Sequence, residues 1–168
     1  MLRRIAVFAS QLEVDTPAPL AAAFEMGRLL GERRIALVYG GAGVGAIATA
    51  AERAIGAGGE ARHYHSDEEF RAEVAARVDA ILGLPGGFVT LEEAFAVWEW
   101  ASGSSRERPL GLLDLDDYYT GLFRHASDEA VDRFVREGQR GQLVVSKDAE
   151  DLLRRLGEYR PPETRRNE

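Results

Sequence analysis

Ile35-Ala36-Leu37-Val38-Tyr39-Gly40-Gly41-Ala42-Gly43-Val44-Gly45 passes from an unbroken apolar run into a glycine-rich turn, and an alanine-rich stretch with helical spacing follows from Val44 to Ile55. A short apolar run bounded by glycines suits a strand buried on both faces, as in a parallel sheet. The same grammar recurs at Asp79 to Leu84 (DAILGL), which is stopped by Pro85-Gly86-Gly87 and followed by a helical pattern from Thr90 to Ala101. Both stretches predict a strand, a tight turn at its carboxyl end, and a helix.

Working outward, Ile5 to Ala9 reads as a first strand and Pro17 to Glu32 as a helix with apolar residues at Leu20, Ala23, Phe24 and Leu30. Gly56 to Gly59 stops the second helix, and Glu60 to Tyr64 is a short strand. Ser66-Asp67-Glu68-Glu69 has the spacing of a capping box, opening a helix through Val78. Leu110 to Leu113 is a strand, Tyr118 to Arg136 a long helix with Asp116 or Asp117 as its cap, and Gln142 to Val145 a final strand. Ser146 is placed to cap a last helix ending at Leu156. Strict alternation of strands and helices predicts an α/β fold, a Rossmann-like doubly wound parallel sheet with helices on both faces. One domain is expected over residues 1–159, with a frayed, charged, proline-containing tail at 160–168.

The bulk composition narrows the function. In 168 residues the net charge is −7, against the basic surplus of a nucleic-acid-coating protein. No apolar run reaches membrane-spanning length, and the apolar start, ended by Gln11, Glu13 and Asp15, is too short for a secretory signal. A cytoplasmic protein with neither nucleic acid nor membrane as partner is expected. There is no cysteine, hence no thiolate nucleophile and no disulfide, and Lys147 is the only lysine. His63 and His65 would share a face of one strand, but read as surface residues at its end.

The two glycine turns carry the candidate chemistry. In sheets of this kind ligands bind beyond the carboxyl ends of the strands. Glycines let the backbone approach an anion, and the free N–H groups and dipole of the following helix attract phosphate. Gly40, Gly41, Gly43 and Gly45 form the first candidate cradle; Gly86, Gly87, Phe88, Val89 and Thr90 form the second. Thr90 can cap the helix or offer its hydroxyl, and Glu92 and Glu93 bring carboxylates to its first turns. The first turn lacks the lysine of a P-loop and follows the second strand instead of the first, so it is not the dinucleotide fingerprint. Phe88 and Trp98 could stack on a base, although packing is the commoner fate of such a tryptophan.

VYGGAGVG, then DAILGLPGGFVTLEEAFAVWEWA, then RPLGLLDLDDYYTGLF together resemble the LOG family of cytokinin riboside 5′-monophosphate phosphoribohydrolases, often labelled lysine decarboxylase-like. The resemblance runs from Ile5 to about Leu156, and the family motif PGGxGTxxE stands here as Pro85 to Glu93. It implies a LOG-like Rossmann domain, a homodimer, a small-molecule nucleotide as partner, no cofactor, and hydrolysis of the N-glycosidic bond of an AMP-like or N6-modified nucleoside 5′-monophosphate. By carry-over, Gly86, Gly87 and Thr90 would hold the phosphate, Glu93 would act near the ribose, Glu92 would contact ribose or base, and Ser10 would match the serine of the first-strand turn. Departures are visible. The glycine before Thr90 is Val89, the arginine of an Arg-Lys pair is Phe70 with Arg71 after it, and the region from Glu60 to Ser66 is short. Arg71 is therefore the candidate to supply the catalytic cation. The same departures frame the alternative, a non-catalytic module that binds or senses a nucleotide or another phosphorylated ligand.

Overall fold

The computed structural model describes residues 1–11, 17–102, 107–125 and 142–161. Six strands form one sheet: β1 (Arg4–Phe8), β2 (Ala36–Tyr39), β3 (Ala61–His63), β4 (Ala80–Gly83), β5 (Leu110–Leu113) and β6 (Leu143–Ser146). All pairings are parallel and the order is β3-β2-β1-β4-β5-β6. The helices are α1 (Pro17–Glu32), α2 (Ala46–Gly56), α3 (Asp67–Arg77), α4 (Phe88–Ser102), α5 (Tyr118–His125) and α6 (Ala149–Glu158). This is the expected doubly wound architecture, and its order reverses between β1 and β4, where such sheets bind ligands.

Burial shows why the strands read as continuous apolar runs. Ile5 and Val7 of β1 pack with Leu37 and Leu82 under α1, α2 and α6, contributed by Met26, Leu30, Ile47, Ala50 and Leu152. Ala6 and Phe8 turn to the other face, with Val38, Ile81, Leu110 and Leu112, under Phe70 and Val74 of α3 and Ala94, Val97 and Trp98 of α4. With helices on both sides, alternation of side chains leaves no polar face. On the first face α1 and α2 cross at close range. A methyl group on Gly27 would meet the carbonyl oxygen of Ala50 at 2.3 Å, so only a residue without Cβ permits this approach.

Several boundaries and caps differ from expectation. Leu110–Leu113 falls where the sequence placed it, and Ser66 caps α3, its Oγ accepting from the N–H of Glu69 at 3.4 Å. Ser146, however, ends β6; the cap of α6 is Asp148, whose carboxylate accepts from the N–H of Asp151 at 2.7 Å. At α5 the capping carboxylate is Asp114, which accepts from the N–H groups of Tyr119 at 2.8 Å and Thr120 at 3.2 Å. Asp116 and Asp117 sit at φ 54° and 58°, a left-handed bend that turns Asp114 inward beneath the helix start. The continuation expected from His125 to Arg136 lies outside the described residues, as does most of the tail.

Candidate functional site

Two clefts open at the carboxyl end of the sheet. The first, about 180 Å³, is lined by the end of β1 and its turn (Val7, Phe8, Ala9, Gln11), the β2 turn (Gly40, Gly41), Ile47, Asp67, Phe70 and Arg71 of α3, and Glu93, Ala96 and Val97 of α4. The second, about 390 Å³, is lined by Ser10, Pro85, Gly86, Gly87, Leu115, Asp116, Tyr118 and Tyr119 with Ala18 and Pro19. They share the β1 turn: Ala9 and Gln11 line one, and Ser10 lines the other. They share α4 as well, whose N-terminal glycines border the second cleft while Glu93 faces the first. The six-residue spacing from Gly87 to Glu93, read off the sequence, is therefore a passage from one cleft to the next along a helix.

Most of the residues marked in the sequence converge here. Glu93 and Arg71, on different helices, line one crevice with Gly40 and Gly41. Gly86, Gly87 and Ser10 line the neighbouring one. Gly43, Gly45, Thr90 and Glu92 line neither. Gly43 and Gly45 shape the first turn through left-handed backbones, φ 68° and 69°. Thr90, which the sequence offers either as the helix cap or as a hydroxyl for a phosphate, lies in the first turn, because α4 starts earlier, at Phe88, and there it is buried. A Cβ on Gly86 would lie 2.5 Å from its hydroxyl oxygen, so Thr90 sets the path of the glycine turn. Glu92 points to solvent. Phe88 and Val89 are the first residues of α4. Trp98 is buried, its indole N–H donating to the carbonyl of Arg108 at 3.0 Å, so it is a core residue and not a stacking platform.

The crevice floor is apolar and its polar groups are few. Phe70, at the position where the resembling family carries an arginine, is buried edge-on against Phe8 at 5.7 Å and lies across Gly40. Arg71 is exposed beside it. The Glu93 side chain reaches solvent, yet partial burial, reinforced by the charges of Asp67 and then Glu92, pushes its carboxyl above the ordinary value. A carboxyl displaced this way in a cleft at the topological switch point marks a functional-site candidate.

Sequence reasoning missed three contributors. Gln11 carried no motif, yet its side-chain oxygen accepts from the N–H of Ala42 at 2.5 Å and of Gly43 at 3.3 Å. Asp67 read only as a first-turn helix residue. His63, expected at the surface, is half-buried; it stacks on Tyr39 with parallel rings 4.7 Å apart and makes a 2.8 Å hydrogen bond through Nε2 to the carbonyl of Gly41. The strand-end position and the histidine type were the only signals. Among the described residues no helix is long and apolar enough to cross a membrane.

Comparison with known proteins bears on the family and the fold. The model of the family described as "Possible lysine decarboxylase" matches residues 35–156. The chain is 33% identical to the "Probable cytokinin riboside 5'-monophosphate phosphoribohydrolase LOGL9" of Oryza sativa subsp. japonica, covering 95% of this chain and 79% of that protein. It is 34% identical to the cytokinin riboside 5'-monophosphate phosphoribohydrolase LOG7 of Arabidopsis thaliana, covering 95% of this chain and 83% of the relative. Among solved structures, the molybdenum cofactor binding protein from Rippkaea orientalis aligns with a TM-score of 0.67 at 18% identity, over 94% of this chain and 97% of the other. The molybdenum cofactor carrier protein from Chlamydomonas reinhardtii aligns with a TM-score of 0.66 at 16% identity, over 95% and 100%. At such identities the likeness is one of fold.

Proposed function

The chain belongs to the "Possible lysine decarboxylase" or LOG family, and from that premise we propose that it hydrolyses the N-glycosidic bond of a purine nucleoside 5′-monophosphate to free base and ribose 5-phosphate. The observation that carries the reading is the meeting of Glu93 and Arg71 in one crevice, one helical passage away from the Gly86-Gly87 turn. The 5′-phosphate sits at the N-terminus of α4, where the first N–H groups of a helix have no intrahelical acceptor and the helix dipole favours an anion despite the overall charge of −7. The ribose and base then extend into the crevice under Glu93.

In the reaction the C1′–N bond breaks, its electron pair leaves with the base, and water supplies the hydroxyl at C1′ and the proton that the base retains. Positive charge develops on the ribose ring in between, and an ionised carboxylate facing it lowers the barrier. Glu93 is that carboxylate. Its raised pKa reflects a site that opposes free negative charge, and an oxocarbenium-like transition state relieves this opposition. Arg71 meets the ligand from the other wall, and Phe70 provides a flat apolar face. We propose further a cytoplasmic homodimer. Because Trp98 is already covered within the protomer, the interface draws on exposed α5 positions such as Tyr118, 41% exposed; a monomer in sedimentation at micromolar concentration would count against it.

The test is incubation with AMP and, separately, isopentenyladenosine 5′-monophosphate, following free base and ribose 5-phosphate by chromatography. Base release is expected, lost in Glu93→Gln while nucleotide binding remains. Binding without release by the wild type would refute the hydrolase.

A further inference from the structure

In the first glycine turn two successive backbone N–H groups, of Ala42 and Gly43, point at one oxygen, the side-chain carbonyl of Gln11. Consecutive N–H groups converging in this way make a concavity suited to an anion. Here the protein's own amide oxygen fills it. The fit is close: a Cβ on Gly41, where φ is +82°, would come within 2.3 Å of the Gln11 nitrogen and 2.5 Å of its oxygen. The turn is held from its other side by the bond between His63 and the Gly41 carbonyl.

This arrangement fixes which end of the amide is which. Two donors require the oxygen at their focus, so Nε2 and its two N–H groups are left over. Among the described residues Nε2 meets no acceptor, and Gln11 lines the crevice with Glu93, Asp67, Arg71 and Phe70. Two of the polar side chains in that crevice, Asp67 and Glu93, accept hydrogen bonds when ionised. Donors are supplied by Arg71, at the exposed rim, and by Gln11. Ribose hydroxyls donate as well as accept, and the carboxylates satisfy them; the unsubstituted ring nitrogens of an adenine-type base, N1, N3 and N7, only accept.

We propose that Gln11 is a specificity-determining residue: the Gly40–Gly45 turn holds its carbonyl so that the Nε2 amide donates to a ring-nitrogen acceptor of the bound base. The proposal rests on the nucleotide reading of this crevice and divides the labour of the two turns. The first turn orients a base-reading side chain, and the second holds phosphate.

Gln11→Glu separates the two halves of the amide. The carboxylate still accepts from Ala42 and Gly43, and both donor hydrogens are lost. The dissociation constants of AMP and of ribose 5-phosphate, and the melting temperature, are measured for wild type, Gln11→Glu and Gln11→Ala, at about 0.15 M and about 1 M ionic strength. Added negative charge acts over a Debye length that shrinks from about 8 Å to about 3 Å between these conditions, whereas a missing donor is indifferent to salt. The expected result is AMP affinity weakened about 2- to 10-fold in both variants and still weakened at high salt. Ribose 5-phosphate affinity at high salt is unchanged, and only Gln11→Ala melts lower. AMP binding by Gln11→Glu equal to wild type at high salt would reduce Gln11 to a clamp on the turn and overturn the assignment while leaving the nucleotide reading intact. Equal weakening for ribose 5-phosphate at high salt would overturn the contact with the base. Failure of wild type to bind AMP at all would remove the nucleotide reading and the proposal together.

Discussion

Replacing Gly87 by alanine separates a structural glycine from one that serves a ligand. Gly87 is exposed, precedes α4, and its carbonyl accepts from the N–H of Leu91 at 3.3 Å. A Cβ built there meets nothing within 4 Å, and its backbone lies outside the left-handed region. Nothing in the folded chain demands a glycine. Alanine is a poorer helix cap than glycine by a few tenths to about 1 kcal/mol. Restriction of the unfolded chain returns about 0.4–1 kcal/mol. The balance lies within about 0.5 kcal/mol, which for a chain of this size is a change of about 2 °C or less in Tm. Ligand binding responds differently. A hydrogen bond from a backbone N–H to a charged phosphate is worth about 1.5–3 kcal/mol, and a methyl group on the surface that the phosphate must approach displaces it. Loss of one such bond weakens AMP binding about 10- to 100-fold. Calorimetric titration with AMP beside a thermal melt reads both quantities. An unchanged Tm with unchanged affinity would refute phosphate seating at this turn. Gly86→Ala cannot serve in its place, because its Cβ would lie 2.5 Å from the Thr90 hydroxyl and disturb the turn itself.

Other expectations follow from the same geometry. Burial, then Asp67, then Glu92 raise the Glu93 pKa, so activity that needs the ionised carboxylate rises with pH through a limb above the ordinary carboxylate range. Asp67→Asn moves that limb to lower pH in a kcat/KM profile, and an unmoved limb would remove Asp67 from the electrostatics of the site. The sign for stability is opposite: the folded state holds the Glu93 proton more tightly than the unfolded one, so stability falls as pH rises through that window. Glu93→Gln should therefore melt above wild type at pH 7, with the difference vanishing in acid, where wild-type Glu93 is protonated. Arg108 is fully buried and its guanidinium donates to the carbonyls of Val78, at 2.8 Å, and Ala75 at the end of α3. Arg108→Met strands these acceptors at about 1–3 kcal/mol each, a fall in Tm of about 4–20 °C by differential scanning calorimetry; a change under 2 °C would show that the carbonyls find other partners.

What the sequence disclosed follows a physical pattern. The strands were legible because each is buried on two faces by helices, which forces runs such as Ala80–Gly83 to be apolar throughout. The first glycine turn was legible because glycine there has few substitutes, Gly41 and Gly43 taking up φ 82° and 68°, and in the second turn Gly86 is crowded by Thr90. The caps at α5 and α6 were misplaced because Asp114, Asp116 and Asp117, or Ser146 and Asp148, offer several oxygens within a few residues. Backbone direction alone selects among them. Gln11 was hidden for a related reason. A glutamine after a strand looks like any surface residue until the β2 turn folds back and presents two N–H groups to it. The convergence of Glu93 and Arg71 depends on α3 and α4 standing side by side on one face, a consequence of strand order and not of spacing along the chain.

The reaction in the family's description, decarboxylation of lysine, needs a different site from the one present. The common route for amino acid decarboxylation holds pyridoxal phosphate as a Schiff base on a lysine. That lysine must be neutral to attack and shielded from competing water, conditions that burial provides. Lys147, the only lysine, is 63% exposed and forms a surface ion pair with the carboxylate of Asp117 at 2.8 Å, the opposite of a shielded site. It lines neither cleft. The crevice holds instead carboxylates, a guanidinium, an amide and an aromatic floor, none of which forms an imine. Those groups suit a neutral base and a ribose that becomes cationic as the base departs, and the adjoining glycine turn suits the phosphate that such a ribose carries. The side chains of the crevice thus fit the hydrolysis proposed above better than an imine-based decarboxylation.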